Sequence, residues 1–508
     1  MIMDDLWTVQ NGGRTRWLLP RYQSGRLFLT ALLFGILADV LFYEKTIGVS
    51  APIAVALFYL LFLWNMGGRV RIGNNLATFL TIPVALLSLT YLFFSDPVFA
   101  VLNVAAIPVL IVLQTTLAFK HDKPFWEFPT FIANLLYGIF CRPLIRMLLP
   151  FAIVCKFMAE HMTFRRHRTL TGILTGIVVT IPLLIVIISL LSSADKRFEQ
   201  LVGHIPTLID QIDLYSWIPQ FLFIVLFMLL FFSYTWSLIR HMRPKHVSTV
   251  AVGPVLDPVT SLTILTIINA IYLLFTLIQF TYLFGSLPDS LTYAEYARRG
   301  FFELVAVTLI NFTILLALLY GTRVSEKKGG ATVRIMESLL VFCTLIMLVS
   351  AFIRMYLYEQ MYGFTYLRVL THAFMIFLFV LLWPAFLRIW SPRVNLCKCS
   401  LLIAVAAYVL INYANIDALI AGYNIDRYHR SGKIDTDYLA TLSDDAVPKM
   451  TELLHKADPH IAERVESDLA WRKQRLDRPS PWQSFNFSHH RANAVLSRYY
   501  IRPDANNH

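Results

Sequence analysis

Long apolar stretches separated by short polar ones run through the first 413 residues, and their length predicts the secondary structure. A run such as 98–119 or 169–191 is long enough to cross a hydrocarbon layer of roughly 30 Å as a helix rising 1.5 Å per residue. The pattern predicts spans over 27–43, 47–66, 76–94, 98–119, 169–191, 215–239, 261–284, 301–320, 333–353, 369–389 and 396–413. The expected fold class is therefore all-α, a polytopic transmembrane helical bundle of about eleven spans.

Two segments depart from that pattern. Residues 128–162 are apolar but are interrupted by Arg142, Arg146, Lys156 and Glu160. Charge at mid-bilayer costs several kcal/mol or more, so this stretch reads as an interfacial amphipathic helix or as a re-entrant hairpin broken near Arg142-Pro143. Residues 414–508 are polar, with short helix signals. Ser443 followed by Asp444, Asp445 and Pro448 looks like a helix start, and Asp458-Pro459 opens another with Ile461, Val465 and Leu469 at four-residue spacing. The domains expected are thus an N-terminal segment 1–26, a membrane domain 27–413 and a small helical soluble tail 414–508, either docked or independently folded.

The cations then give an orientation. Arg14, Arg16, Arg21 and Arg26 precede the first span and place the N-terminus in the cytoplasm. Arg69/Arg71, Lys120/Lys123, Arg165/Arg166/Arg168, Arg240/Arg243/Lys245, Arg323/Lys327/Lys328 and Arg388/Arg393 fall in alternate loops, while 95–97 and 192–214 are poorer in cations. An odd number of crossings puts the tail outside the cytoplasm; a single crossing by 128–162 would invert that. No cleavable signal peptide is expected, since Asp4 and Asp5 lead into the arginines and the first apolar run is followed by many others.

Composition agrees with a membrane protein: 57% of residues are hydrophobic and 15% charged. The formal net charge of +12 lies in loops flanking apolar runs, where it serves topology and anionic lipid; no nucleic-acid motif accompanies it. Cys141, Cys155, Cys343, Cys397 and Cys399 sit in or beside apolar segments and imply no disulfide framework, metal site or cofactor.

Polar chemistry concentrates beside two spans. Before 301–320 stand Tyr293, Glu295, Tyr296, Arg298, Arg299 and Glu303; after 333–353 come Arg354, Tyr356, Tyr358, Glu359, Tyr362 and Arg368, with His372 just inside the next span. Arginines framed by tyrosines suit a phosphate or carboxylate. They are also ordinary interfacial anchors, and Glu–Arg pairs often join helices. Asp39 is an intramembrane acid, either a proton-coupling group or a hydrogen-bonded acid near the interface. Asn103, Gln114, Gln279 and Asn311 read as interhelical hydrogen bonders. The chain lacks a Walker loop, a dinucleotide fingerprint and a His-Glu-x-x-His helix, so enzyme activity is not the leading expectation.

Ser193-Ala-Asp-x-x-Phe198, Tyr293-Ala-x-Tyr-Ala-Arg-x-Gly-Phe-Phe-Glu303, Arg354-Met-x-x-Tyr-x-x-x-Tyr-Gly-x-Thr365 and Asn415-Ile-Asp417, with Tyr423-Asn-Ile-Asp-Arg-Tyr428, form a set. With Ile434-Asp-x-x-Tyr-Leu439 and Leu442-Ser-x-Asp-Ala-Val-Pro448, it resembles the bacterial multipass membrane family DUF4173. The resemblance covers roughly residue 180 to the tail and implies a bacterial inner-membrane protein, with no substrate or catalytic residue. The expected partners are membrane lipids, with an anionic or lipid-linked ligand at an extracytoplasmic pocket. The alternative is a non-catalytic sensor or assembly partner whose tail contacts an envelope protein.

Overall fold

In the computed structural model the chain is described over residues 21–67, 76–119, 126, 128–145, 214–239, 256–284, 301–322 and 330–500, with isolated positions between 147 and 196. Within these the protein is helical. A bridge between Leu256 and Thr322 is the extended pairing found among the described residues.

The membrane helices are α1 (Arg21–Phe42), α2 (Ser50–Met66), the short α3 (Leu76–Phe79) leading into α4 (Thr81–Phe93), and α5 (Pro97–Phe119). After α6 (Phe128–Leu136), a π turn and α7 (Arg142–Ile145) come α8 (Leu214–Ile239), α9 (Pro258–Phe284), α10 (Phe301–Gly321), α11 (Gly330–Tyr362), α12 (Tyr366–Trp390) and α13 (Leu396–Tyr413). Among the described residues, nine helices are long and apolar enough to cross a membrane, α3 and α4 counting as one; α2 is shorter. The protein is a multi-pass integral membrane protein. The expected span 169–191 falls largely outside the described residues. So does most of 128–162, whose described part packs so closely on α5 that a Cβ on Gly138 would lie 2.8 Å from a Val112 methyl.

The packing is that of helices in lipid, where small residues and interhelical hydrogen bonds replace a water-driven hydrophobic effect. Gly35 lets α1 approach α8 until a Cβ there would meet the Ile224 carbonyl at 2.5 Å. Asn103 donates to Thr90 (3.0 Å) and Asn412 (2.7 Å) and accepts from the Tyr408 hydroxyl (2.7 Å), tying α5 to α4 and α13. Asn311 accepts from Tyr272 (2.7 Å) and donates to Thr344 (3.0 Å), tying α10 to α9 and α11. Gln114 donates to Thr81 (2.6 Å). The side chain of Gln279 lies outside the described residues. One apolar cluster joins α9–α12, others join α1, α2 and α8 and α2, α4 and α5, and α13 packs against both α12 and α4.

The tail folds as α14 (Ile416–Ser431), the short α15 (Thr436–Ala440), α16 (Val447–Met450) and α17 (Leu453–Lys456), then α18 (Pro459–Leu476) and α19 (Phe487–Tyr500). Val465 and Leu469 bury the predicted face of α18. Asp458 does not cap that helix with its side chain; its carboxylate accepts from the Tyr428 hydroxyl (3.1 Å). The tail is docked rather than separate, because its core includes Phe99 of α5. Its polar centre is Asp444, which accepts from Arg472 (3.2 Å), Arg475 (2.5 Å) and His489 (2.7 Å).

Three inter-helix connections meet the tail at one end of the bundle. Val49 N–H, after α1, donates to the Phe485 carbonyl (3.0 Å). Ser95, between α4 and α5, donates to Asp445 (2.7 Å from its amide). The Phe364 amide, between α11 and α12, donates to Asn424 (2.9 Å). These are the connections that helix parity predicts on the same side as the tail.

Candidate functional site

The site expected from the tyrosine–arginine segments is built around a tight turn. α11 does not stop near 353 as the span pattern predicts. It continues about two further turns to Tyr362, because Met355 and Glu359 keep a buried face against the bundle. The helix ends at Gly363, whose φ of 83° suits a residue without a Cβ and whose amide closes on the Glu359 carbonyl at 2.8 Å. After Phe364 and Thr365 α12 begins, so the segment expected as an outer loop is in fact helix, turn, helix.

Arg368, in the first turn of α12, reaches back across this turn. Its Nη1 donates to the carbonyls of Tyr362 (3.2 Å) and Gly363 (2.5 Å), placing positive charge on the negative end of α11. Its guanidinium lies 4.6 Å from the centre of the Tyr358 ring, and that ring packs on Tyr362 at 4.7 Å. Nε and Nη2 of Arg368 make no hydrogen bond among the described residues.

Beside this cation lies a cavity of about 370 Å³ lined by Phe302, Met355, Tyr358, Thr365, Leu367, Arg368 and Thr371. Its volume lies within the range of small-ligand pockets. Three helices form it: Phe302 comes from α10, Met355 and Tyr358 from α11, and the rest from α12 and the turn before it. One wall is apolar and open to the surface, with Leu367 66% and Phe302 56% exposed. Behind it Glu359, 1% exposed, pairs with Nδ1 of His372 at 3.1 Å, while Nε2 of His372 faces the Phe352 carbonyl at 3.4 Å.

Of the residues expected at the site, Tyr358 and Arg368 line the cavity and Glu359 stands behind it. Tyr362 is exposed beside Tyr358, Arg354 is half-buried one turn earlier on α11, and Glu303 is exposed on the first turn of α10. Tyr293, Glu295, Arg298 and Arg299 lie outside the described residues. Asp39 belongs to a different contact, between α1 and α8. Its Oδ2 accepts from Gln220 (2.8 Å), and its buried Oδ1 has no partner among the described residues. Thr365, Leu367 and Thr371 were not singled out in advance, since nothing in an apolar helix start marks which face will border a gap. Among the described residues no group of three His, Cys, Asp or Glu is arranged to hold a metal ion.

The turn is also gripped from the tail. Asn424 of α14 accepts from the Phe364 amide (2.9 Å) and donates to the Phe364 carbonyl (2.8 Å). Arg427 donates to the Met361 carbonyl (2.7 Å), and the Tyr438 hydroxyl accepts from the Tyr366 amide (2.7 Å).

A family profile described as Domain of unknown function (DUF4153) matches residues 81–453. The DUF4173 resemblance read from the motifs is not confirmed, and the match begins about a hundred residues earlier than those motifs do. No curated protein and no solved structure matches the chain.

Proposed function

The chain belongs to the DUF4153 family, a family described without an activity, and from the geometry we propose that it handles an anionic amphiphile at the cavity between α10, α11 and α12. The observation that carries this reading is the pairing of Arg368 with an apolar wall. A phosphate or carboxylate takes Nε and Nη2 of the guanidinium, which the turn leaves available, and an acyl or prenyl chain lies along Phe302 and Leu367. Tyr358 fixes the guanidinium plane from the other face. The cavity end faces the extracytoplasmic side, on the strength of the cation bias of the opposite loops. The bundle belongs to a bacterial inner membrane in this reading. An assembly role through the tail draws less support, because the buried apolar residues of the tail form one cluster with Phe99 of α5.

The test is binding of a fluorescent short-chain phosphatidylglycerol to the purified protein in neutral detergent. Arg368→Ala is expected to weaken binding about tenfold to a hundredfold, the size of a lost charge-assisted hydrogen bond of roughly 1.5–3 kcal/mol. Arg368→Lys, which keeps the charge, should lose less. Equal binding by Arg368→Ala, or equal competition from a zwitterionic phosphatidylcholine, would sink the reading.

A further inference from the structure

From the connection after α18 into the first turn of α19 the chain runs through a short strap, 482–488, whose polarity is inside out. Gln483, Ser484, Asn486 and Ser488 are buried, while Trp482, Phe485 and Phe487 are 58%, 39% and 46% exposed. A segment facing water buries its aromatic residues and exposes its amides and hydroxyls; this one does the reverse.

The buried polar side chains are satisfied by the bundle. Gln483 donates to the Val40 carbonyl (3.1 Å) and Ser484 to the Thr46 carbonyl (2.9 Å). Asn486 donates to the carbonyls of Tyr91 (2.8 Å) and Phe94 (2.7 Å), and Ser488 meets Ser95 at 3.0 Å. The strap lies so close on the α1–α2 connection that a Cβ on Gly48 would sit 2.5 Å from the Phe485 carbonyl. These contacts also set its depth. Val40 and Tyr91 lie in the last turns of the spans 24–42 and 76–93, at the level where a helix leaves the hydrocarbon.

The outward aromatics continue the exposed apolar surface of those spans. Phe487 stacks on Phe93 with ring centres 5.7 Å apart, and Phe93, Val40 and Ile47 are themselves exposed. Trp, Phe and neighbouring apolar residues at the end of a span form the belt that proteins place at the headgroup boundary.

We propose that the 482–488 strap is a membrane-interface anchor, with Trp482, Phe485 and Phe487 inserted at the boundary between lipid headgroups and acyl chains. The tail is then held twice, by the bundle through the strap's polar face and by the bilayer through its aromatic face. The partner is the lipid surface itself. A bonded polar face needs no further protein, and the aromatic face joins a surface already in contact with acyl chains. This inference does not depend on the cavity having a ligand.

The experiment uses the full chain in lipid nanodiscs with its native cysteines replaced. A spin label is placed in turn at Trp482→Cys, Phe485→Cys, Phe487→Cys and, as a water-facing control, Glu463→Cys, an exposed charged position on α18. Collision rates with oxygen, which concentrates in the bilayer, and with a polar nickel chelate are measured. The three strap sites are expected to show an oxygen-to-nickel ratio several-fold above that at 463. Ratios matching 463 would mean a water-facing strap and overturn the proposal. Shielding from both reagents would mean a protein partner or a second copy, and would overturn it too. A check without labels uses bilayers brominated near the headgroup: Trp482→Phe should reduce the quenchable tryptophan emission, and an unchanged quenched fraction counts against the anchor.

Discussion

Asp417 shows how a single carboxyl couples the tail to the bundle. It is 4% exposed in the first turn of α14, and burial pushes its pKa up to about 6. The hydroxyl and amide of Ser443 oppose that shift, and the neighbouring carboxyls of Asp96 and Asp445 add to it. Asp96 is raised as well, chiefly by burial. An acid whose folded pKa lies above its unfolded value near 3.9 holds its proton more tightly in the fold. Its effect on stability is therefore absent below about pH 4. It becomes a growing penalty as pH rises towards the folded value of about 6. Two pKa units correspond to roughly 3 kcal/mol. Asp417→Asn is expected to raise thermal stability at pH 7.5 and to flatten its decline through this window; a melting profile in detergent with unchanged slope would remove the carboxyl from the account. Asp444 acts in the opposite direction. Burial alone would raise its pKa, but the hydrogen bond from His489, the charge of Arg475 and the further charges of His489 and Arg472 hold it below the usual carboxylate value. Its contribution is present above that usual value and is lost as pH falls through the depressed one. The Asn415-Ile-Asp417 motif was legible as a pattern. Its electrostatic setting was not, because Ser95 and Asp445 meet across 350 residues of sequence.

The α11–α12 turn is the element on which the cavity and the tail both depend. Gly363 adopts φ 83°, and a Cβ there would meet Asn424 Oδ1 at 2.8 Å and Arg427 Nη1 at 3.2 Å. Gly363→Ala therefore combines backbone strain with displacement of the two side chains that grip the turn. Gly432, at φ 69° with nothing near its would-be Cβ, supplies the strain alone. Gly363→Ala is expected to destabilise by about 1–3 kcal/mol and to speed hydrogen exchange at the Phe364 and Tyr366 amides, while Gly432→Ala should leave those amides unchanged. If the two variants behave alike, the grip of α14 on the turn has no energetic weight. The helices themselves were readable from apolar run lengths. The long extension of α11 was not, since its last turns mix Tyr, Glu and Gln and only the buried positions Met355 and Glu359 show that they remain against the bundle.

Seen as one body, the protein is a helical bundle capped at one end by its own C-terminal helices. The cap contacts the connections after α1, after α4 and after α11, so these share a side with the tail. Single cysteines at Glu44→Cys and Arg430→Cys should react with an impermeant reagent from the same face of a sealed vesicle, and Arg393→Cys from the opposite one. Labelling of Glu44→Cys and Arg430→Cys from different faces would mean that the cap is not docked in the membrane. What could be read from the chain was the all-helical, multi-pass architecture and most of its membrane helices. A helix in lipid satisfies its own backbone, so the signal lies wholly within each run and in the cations flanking it. The docking of the tail, the cavity beside Arg368 and the inverted strap at 482–488 were decided only by the tertiary structure. Each depends on side chains from helices far apart in sequence meeting at one end of the bundle. Whether an exposed Phe or a buried Asn is favourable there depends on the surroundings, lipid or carbonyl, that the fold provides.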